Sequence, residues 1–316
     1  MSKRLCQCTR VEHDEYVAYV DKGEEILMLR KDQEQCTVLQ LGTYDVETTV
    51  KAATLVKEVC GIDVNLGCGM GFSVKGGMGQ ALVEDKEKLE SIIKALVPLG
   101  RPVSCKIRLQ SSHEETIRFI QWLYSLGVCI VTLHGRHHGE LYKADCDWEE
   151  LEKVSKECGH DLVLNGDISF QSDIDKLNSF SDHVKGVMIG RAASVHLGLF
   201  SPDGGDYVPN ENTTKEMIME YALNAKRFSI AYGKVKNVIL QIIRTQRNFP
   251  FGSWRKVNQN NAGSPTWLGR MTKEVASSKQ YEQLLELMVV PVTVKVPNLQ
   301  SDHSEVKLSA PTKANK

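Results

Sequence analysis

From residue 37 onward, short apolar runs alternate with amphipathic stretches. The runs are TVLQLG (37–42), GIDVNLG (61–67), PVSCKIR (102–108), CIVTLHG (129–135), DLVLNGD (161–167) and KGVMIGR (185–191). Each is rich in Val, Ile and Leu and reads as apolar on both faces, the pattern of parallel strands covered by helices. Between them, Val46, Val50, Ala53, Val56 and Val59 recur at a spacing of three or four, as do Leu89, Ile92, Ile93 and Leu96, then Ile117, Ile120, Leu123 and Tyr124. Each set marks one buried face of a helix. EEILMLRK (24–31) reads as a hairpin partner for the run at 37.

Six β-then-α units in a row predict an α/β fold, either a doubly wound sheet or a TIM-type (β/α)8 barrel. The polar residues decide between them. Gln40, Asn65, Lys106, His134, Asn165 and Arg191 mark the C-terminal ends of the six runs. A barrel gathers such residues around one mouth, whereas an open sheet offers a crevice at its switch point. No GxGxxG follows the first run, so the barrel is favoured. Barrels close with eight strands, and the missing ones are expected to precede residue 1.

SPDGGDYVPNEN (201–212) reads as a linker, and Thr213 to Glu216 as a capping box opening a helix. Three apolar stripes follow: Met217, Ile218, Tyr221, Ala225 and Phe228; Val235, Val238, Ile239 and Ile242; Tyr281, Leu284, Leu285 and Met288. The expected organisation is a barrel over residues 1–202, a small helical domain over 203–290 and a disordered tail over 291–316.

Charge matters here through its distribution. The chain has 39 Lys and Arg against 40 Asp and Glu, which excludes a globally basic nucleic-acid binder. Yet no acidic residue lies between Glu220 and Glu274, while that stretch holds ten basic ones: Lys226, Arg227, Lys234, Lys236, Arg244, Arg247, Arg255, Lys256, Arg270 and Lys273. Tyr221, Phe228, Tyr232, Phe249, Phe251, Trp254 and Trp267 are interleaved with them. Cations beside aromatic faces suit phosphates and unstacked bases. The plainer alternative is a solvated face whose acidic partners lie on the barrel. No apolar run approaches the roughly 18 residues of a membrane span. The nine cysteines lack the regular spacing of a disulfide framework or zinc ribbon, and the start lacks an apolar leader. A cytoplasmic monomer without metal or membrane is expected.

Chemistry concentrates in GCGMGFSVKGGMG (67–79), with six glycines in thirteen positions. Such a loop over a barrel mouth reads as a lid, with Cys68 delivering a proton or acting as nucleophile. Cys60, Cys105 and Cys129 read as small core residues. Asn165, Gly166 and Asp167, with Gly190 and Arg191, occupy the place where barrels bind phosphate. Lys106 and His134 would then reach the same ligand's ring system. Taken singly, Lys106 also reads as a barrel-interior ion pair and His134 as a satisfied core imidazole.

LQLGTYD, GIDVNLGC, KGGMGQALV, PVSCKIR, LHGR, LNGD and IGRAA stand in an order and spacing that resembles the tRNA-dihydrouridine synthases, most of all the eukaryotic type acting on uridine 20 of the D loop. The resemblance runs over most of residues 1–290 and is most specific from Asp63 to Ala81. It implies an FMN-binding barrel followed by a helical tRNA-binding domain. NADPH would reduce FMN, a hydride would pass to C6 of a uracil, and Cys68 would protonate C5. Gln40, Lys106 and His134 would contact the flavin, and Asn165, Gly166, Asp167, Gly190 and Arg191 its phosphate end. Asn65 would lie close to flavin and uracil, with Lys226, Arg227, Lys234, Lys236, Arg244 and Arg247 facing tRNA. The chain departs from the family in having Gly69 and Met70 after the cysteine, where Pro and often Lys are usual, and in lacking a match to the first strand's Pro-Met segment. Two other readings stand beside this one: a catalytically silent tRNA-binding protein, and a flavin barrel acting on a small pyrimidine.

Overall fold

A computed structural model describes residues 2–140, 144–195, 197–200, 210–251 and 266–288. Six parallel strands form one sheet in sequence order: β4 (Val38–Leu41), β5 (Gly61–Asn65), β6 (Val103–Leu109), β7 (Ile130–His137), β8 (Leu162–Asn165) and β9 (Val184–Met188). Helices α2 (Val46–Leu55), α5 (Lys86–Leu96), α6 (His113–Ser125), α7 (Trp148–Glu157) and α8 (Gln171–Asn178) link successive strands. This is the predicted TIM-type barrel, with six of its β/α units present among the described residues. Strands β4 and β9 each have one partner and are not paired with each other.

Local sequence explains the starts of the helices. Asp45, Asp85, Ser112 and Asp147 each accept a hydrogen bond at an N-cap, from the backbone N–H of Thr48, Lys88, Glu115 and Glu150 respectively. The outward side chains of the strands, among them Val64, Ile107, Leu133 and Leu164, share one core with Ile92, Ile120, Leu151 and Leu177 of the helices. Toward the strand ends the inward side chains are polar, whereas Ile130 and Val163 share that face deeper in. The inner face is therefore mixed, which corrects the expectation of two apolar faces.

Residues before β4 form a separate antiparallel sheet of β1 (Thr9–Glu12), β2 (Tyr16–Asp21) and β3 (Glu24–Arg30). The run at 24–31 thus pairs with β2, not with the strand at 37. Lys22 and Gly23 turn the chain at φ 51° and 80°, the left-handed pair that a two-residue hairpin requires. Tyr19 anchors this sheet to the barrel by donating to Glu58, which also accepts from Arg10 at 2.7 and 2.9 Å.

After β9, helices α9 (Glu211–Arg227) and α10 (Tyr232–Gln246) and the helices Thr266–Ser277 and Tyr281–Leu287 build a second core. Ala192, Val195 and Leu199 belong to that core as well. The cap of α9 is Asn210, paired reciprocally with Thr213, so the capping box lies three residues before its expected place. Thr266–Ser277, which buries Leu268, Met271 and Val275, was not expected. Val238 leaves its predicted core stripe and is 41% exposed. Cys105 is buried as expected, Cys60 half-buried, and Cys129 exposed. Most of the linker, the basic pair Arg255 and Lys256, and the tail from 291 lie outside the described residues. Among the described residues, no helix is long and apolar enough to cross a membrane.

Candidate active site

The inward side chains and the glycine-rich loop surround one cavity of about 600 Å³. Gln40, Asn65, Cys68, Lys106, His134, Asn165, Gly166, Asp167, Gly190 and Arg191 all line it. Val238, Gln241, Ile242 and Thr245 of α10, with Phe251, form a wall contributed by the helical region. Register brings the barrel residues together: Gln40 pairs with Asp63, Asn65 with Lys106, and His134 with Asn165.

Three hydrogen-bonded groups organise the cavity. In the first, the buried carboxylate of Asp63 accepts from Ser104 and from the Gln40 amide, each at 2.7 Å. The Gln40 carbonyl accepts from Asn65 Nδ2 at 2.9 Å, and Asn65 Oδ1 accepts from the N–H groups of Gly67 and Cys68 at 3.2 and 3.0 Å. A carboxylate at one end and two backbone donors at the other leave each amide a single orientation. Burial raises the Asp63 carboxyl above its ordinary range.

The second group secures the loop. Buried Arg108 donates to the carbonyls of Gly67 at 2.8 Å and Glu140 at 2.6 Å, tying the start of the glycine-rich loop to the loop after β7. Gly79, at φ +64°, passes so close that a Cβ there would lie 2.4 Å from the Cys68 carbonyl oxygen. Cys68 itself is partly accessible at the rim.

The third group centres on Asp167, whose side chain is fully buried. Arg136 donates to both of its oxygens at 2.7 and 2.9 Å, Arg191 to one at 2.6 Å, and the Cys146 N–H to the other at 3.0 Å. The Asp167 carboxylate is thus taken up in fixing two guanidiniums, and the residue lines the cavity. Arg191 also stacks on Phe251, 4.2 Å from the ring centroid, and Phe251 N–H donates to Ser169. Asn165 donates to the Met188 carbonyl, which leaves its own oxygen for a ligand.

The Lys106 ammonium makes no hydrogen bond among the described residues, and burial lowers it to about 8. Among the described residues Lys106 forms no ion pair, although the Asp63 charge lies near. His134 accepts from Arg136 at 3.0 Å, and burial together with surrounding cations lowers it to about 2. Asp63, Ser104, Arg108, Arg136 and Gln241 escaped the reading from sequence. For the first four the signal was the period-two alternation within each strand, with Asp63/Asn65, Ser104/Lys106/Arg108 and His134/Arg136 on one face; Gln241, on helix α10, carried no such signal.

The basic residues of the helical region lie elsewhere. None of Lys226, Arg227, Lys234, Lys236, Arg244 and Arg247 lines the cavity. Lys226 pairs with Glu282, and Arg227 with Glu15. Lys236 donates to the carbonyls of Ala276 and Ser278 at a helix end, and Arg247 to Thr272. Lys234 lies in a groove with Glu24 and Glu25, and Arg244 is exposed.

The strand ends of the α/β barrel thus converge on a cationic cavity beneath a cysteine-bearing loop. The dihydrouridine synthase family model matches residues 1–251, and the chain belongs to that family. It is 34% identical over 177 residues to the tRNA-dihydrouridine(20) synthase [NAD(P)+] of Schizosaccharomyces pombe, covering 53% of this chain and 36% of that protein. Over 209 residues it is 29% identical to the Saccharomyces cerevisiae protein of the same name, covering 60% and 54%. A tRNA-dihydrouridine(16/17) synthase [NAD(P)(+)] of S. pombe is 28% identical over 204 residues, covering 63% and 51%. The chain thus spans about a third to a half of the length of these relatives.

Proposed function

We propose that this chain carries the cofactor and uridine site of an FMN-dependent tRNA-dihydrouridine synthase that reduces a D-loop uridine, position 20, with NADPH. The observation that supports this best is the convergence of all ten cavity residues named from the sequence on one volume of about 600 Å³, within the range of small-ligand pockets. The donor set fits a flavin mononucleotide. Lys106 offers an unpaired cation and Arg191 a pinned guanidinium, and at Gly190 a Cβ would meet nothing within 4 Å, leaving bare backbone for a phosphate. Gln40, Lys106 and His134 would hold the ring system, and Asn165, Gly166, Gly190 and Arg191 the phosphate end, with Asp167 fixing Arg191.

When bound, FMN supplies the hydride that reaches C6 of the uracil, renewed from NADPH. The chain's own residues do the rest. Asn65 holds the backbone at Cys68 by accepting from its N–H, so the thiol stands at a fixed place on the rim. Cys68 then gives its proton to C5, quenching the enolate-like charge that builds on the uracil beside the C4 carbonyl. The target uridine must leave the folded RNA to enter, and the α10 wall bounds the space it occupies. Cations of the helical region, Lys226, Arg227, Lys234, Lys236, Arg244 and Arg247, would meet the tRNA backbone.

The test is a titration of the purified chain with FMN, followed by mass-spectrometric measurement of dihydrouridine in tRNA. Bound oxidised flavin, with dihydrouridine formed by the wild type and reduced by a factor of about 100 or more in Cys68→Ala, is expected. Activity unchanged by Cys68→Ala would refute the assigned role. A second reading, a tRNA-binding protein without catalysis, is favoured by the outer edges of β4 and β9, which have no strand partner among the described residues and where Val38 is 51% exposed. It predicts salt-sensitive tRNA binding with no flavin uptake.

A further inference from the structure

Arg136 makes five hydrogen bonds from its side chain. Besides Asp167, it donates to the Ala144 carbonyl at 2.6 Å, to Cys146 Sγ at 3.0 Å and to His134 Nε2 at 3.0 Å. A guanidinium is a donor only and keeps its charge throughout the range in which proteins fold. The ring nitrogen facing it must therefore bring a lone pair. An imidazolium would set N–H against N–H, so the ring is neutral and its proton sits on Nδ1. The ring edge abuts Gly166, where a Cβ would lie 3.1 Å from His134 Cδ2. Lys106, Arg108 and Arg191 add three further positive charges around the ring. The carboxylate of this cluster, Asp167, is already held by Arg136 and Arg191. The four cations around the ring thus oppose the imidazolium. Among the described residues, Nδ1 has no hydrogen-bond partner, and His134 lines the cavity.

We infer that Arg136 is a positioning residue: it fixes His134 as a neutral Nδ1–H donor, available to a hydrogen-bond acceptor on the ring system of the bound cofactor. The identity of that acceptor rests on the flavin reading, but the tautomer does not. Arg136 thereby does two jobs with one fork, holding the Asp167 carboxylate that pins Arg191 and setting the proton on His134.

The experiment is nitrogen-15 NMR of the histidine rings in the flavin-free chain, with His134 identified by the signal lost in His134→Gln. The wild type is expected to show Nδ1 protonated and Nε2 unprotonated, with no titration between about pH 5 and 8. In Arg136→Lys, where the fork that faces Nε2 is lost, the same ring should populate the Nε2–H tautomer, still without titrating between about pH 5 and 8 because burial and the other cations persist. A wild-type ring protonated at Nε2, or titrating in that window, overturns the inference without any variant. So does a folded Arg136→Lys protein whose His134 is unchanged. FMN titrations then measure the coupling. His134→Gln should weaken binding about tenfold in the wild-type background and less than about twofold in Arg136→Lys, because the second change finds its target already lost. Equal factors in both backgrounds overturn the claim that Arg136 acts through His134. Absence of FMN binding by the wild type would refute the flavin reading and leave the tautomer result standing.

Discussion

The strand-end cavity and the helical region are both rich in cations, and they hold them in opposite ways. In the cavity, Arg108 and Arg136 are buried and engaged in several hydrogen bonds each, while Lys106 stands half-buried and its ammonium makes none among the described residues. In the helical region, Lys226, Arg227 and Arg270 lie in solvent and pair with Glu282, Glu15 and Glu211 across the surface. Buried charges cannot change partners cheaply, whereas exposed ones exchange a carboxylate for water or phosphate at little cost. The first arrangement suits a rigid site for a small anionic ligand. The second suits a surface that meets a large, mobile polyanion.

The largest expected effect breaks the buried side of this comparison. Asp167→Ala removes the carboxylate that two guanidiniums share and leaves Arg136 buried without its anion. Losing one member of a buried pair costs about 3–5 kcal/mol, which chemical denaturation would read directly. Arg191 would also lose its anchor, so any anion affinity should fall with the stability. A variant as stable as wild type would mean that solvent reaches the cluster.

Next comes the glycine-rich loop. Gly79→Ala places a Cβ 2.4 Å from the Cys68 carbonyl and 2.9 Å from Ser73 Oγ, at φ +64°. Left-handed backbone and collision together should cost about 2–3 kcal/mol. The backbone at Cys68 must give way, so the alkylation rate of Cys68, followed by peptide mass spectrometry, should change while that of exposed Cys36 does not.

These particulars show how far the sequence could be read. Strand and helix order was legible because the strands are apolar runs and the helices at 46–55, 86–96 and 113–125 each carry their own apolar stripe. The cavity residues were legible because strand ends share a mouth in any barrel. Asp63, Ser104, Arg108 and Arg136 were not, because their partners lie on neighbouring strands or on distant loops, and register alone brings them together. The hairpin turn at Lys22 and Gly23 was legible in principle, but the run after it was assigned to the wrong neighbour. In the helical region, the absence of acids from a long stretch suggested free cations, yet Glu211 and Glu282 fold back from either side of that stretch to meet them.

Lys106 gives a prediction in pH. Its ammonium is lowered to about 8, against about 10.4 for an unfolded lysine. Between those values the unfolded chain binds more protons than the folded one, so ligand-free stability should rise with pH across that window. Affinity for an anionic cofactor should move the other way, falling as pH passes about 8 and the cation is lost. Lys106→Met should flatten both trends and weaken binding near neutral pH. Persistence of either trend in Lys106→Met would assign it to another group.

The smallest effect on the fold, and the one that sharpens the comparison most, is charge reversal on the helical region. Lys234→Glu with Arg244→Glu alters two residues whose side chains make no hydrogen bond among the described residues, and neither lines the cavity. Unfolding should barely move, because surface charges of this kind contribute little to stability. FMN uptake should be unchanged, since the cavity wall is left intact. tRNA affinity should fall, and the slope of log affinity against log salt should become shallower by about two, one for each phosphate that is no longer neutralised. An unchanged salt slope with intact folding would mean that the RNA is held by other cations. The exposed pairs Lys226–Glu282 and Arg227–Glu15 would then be the next to reverse, because opening either one frees a cation without disturbing the buried network around Asp167.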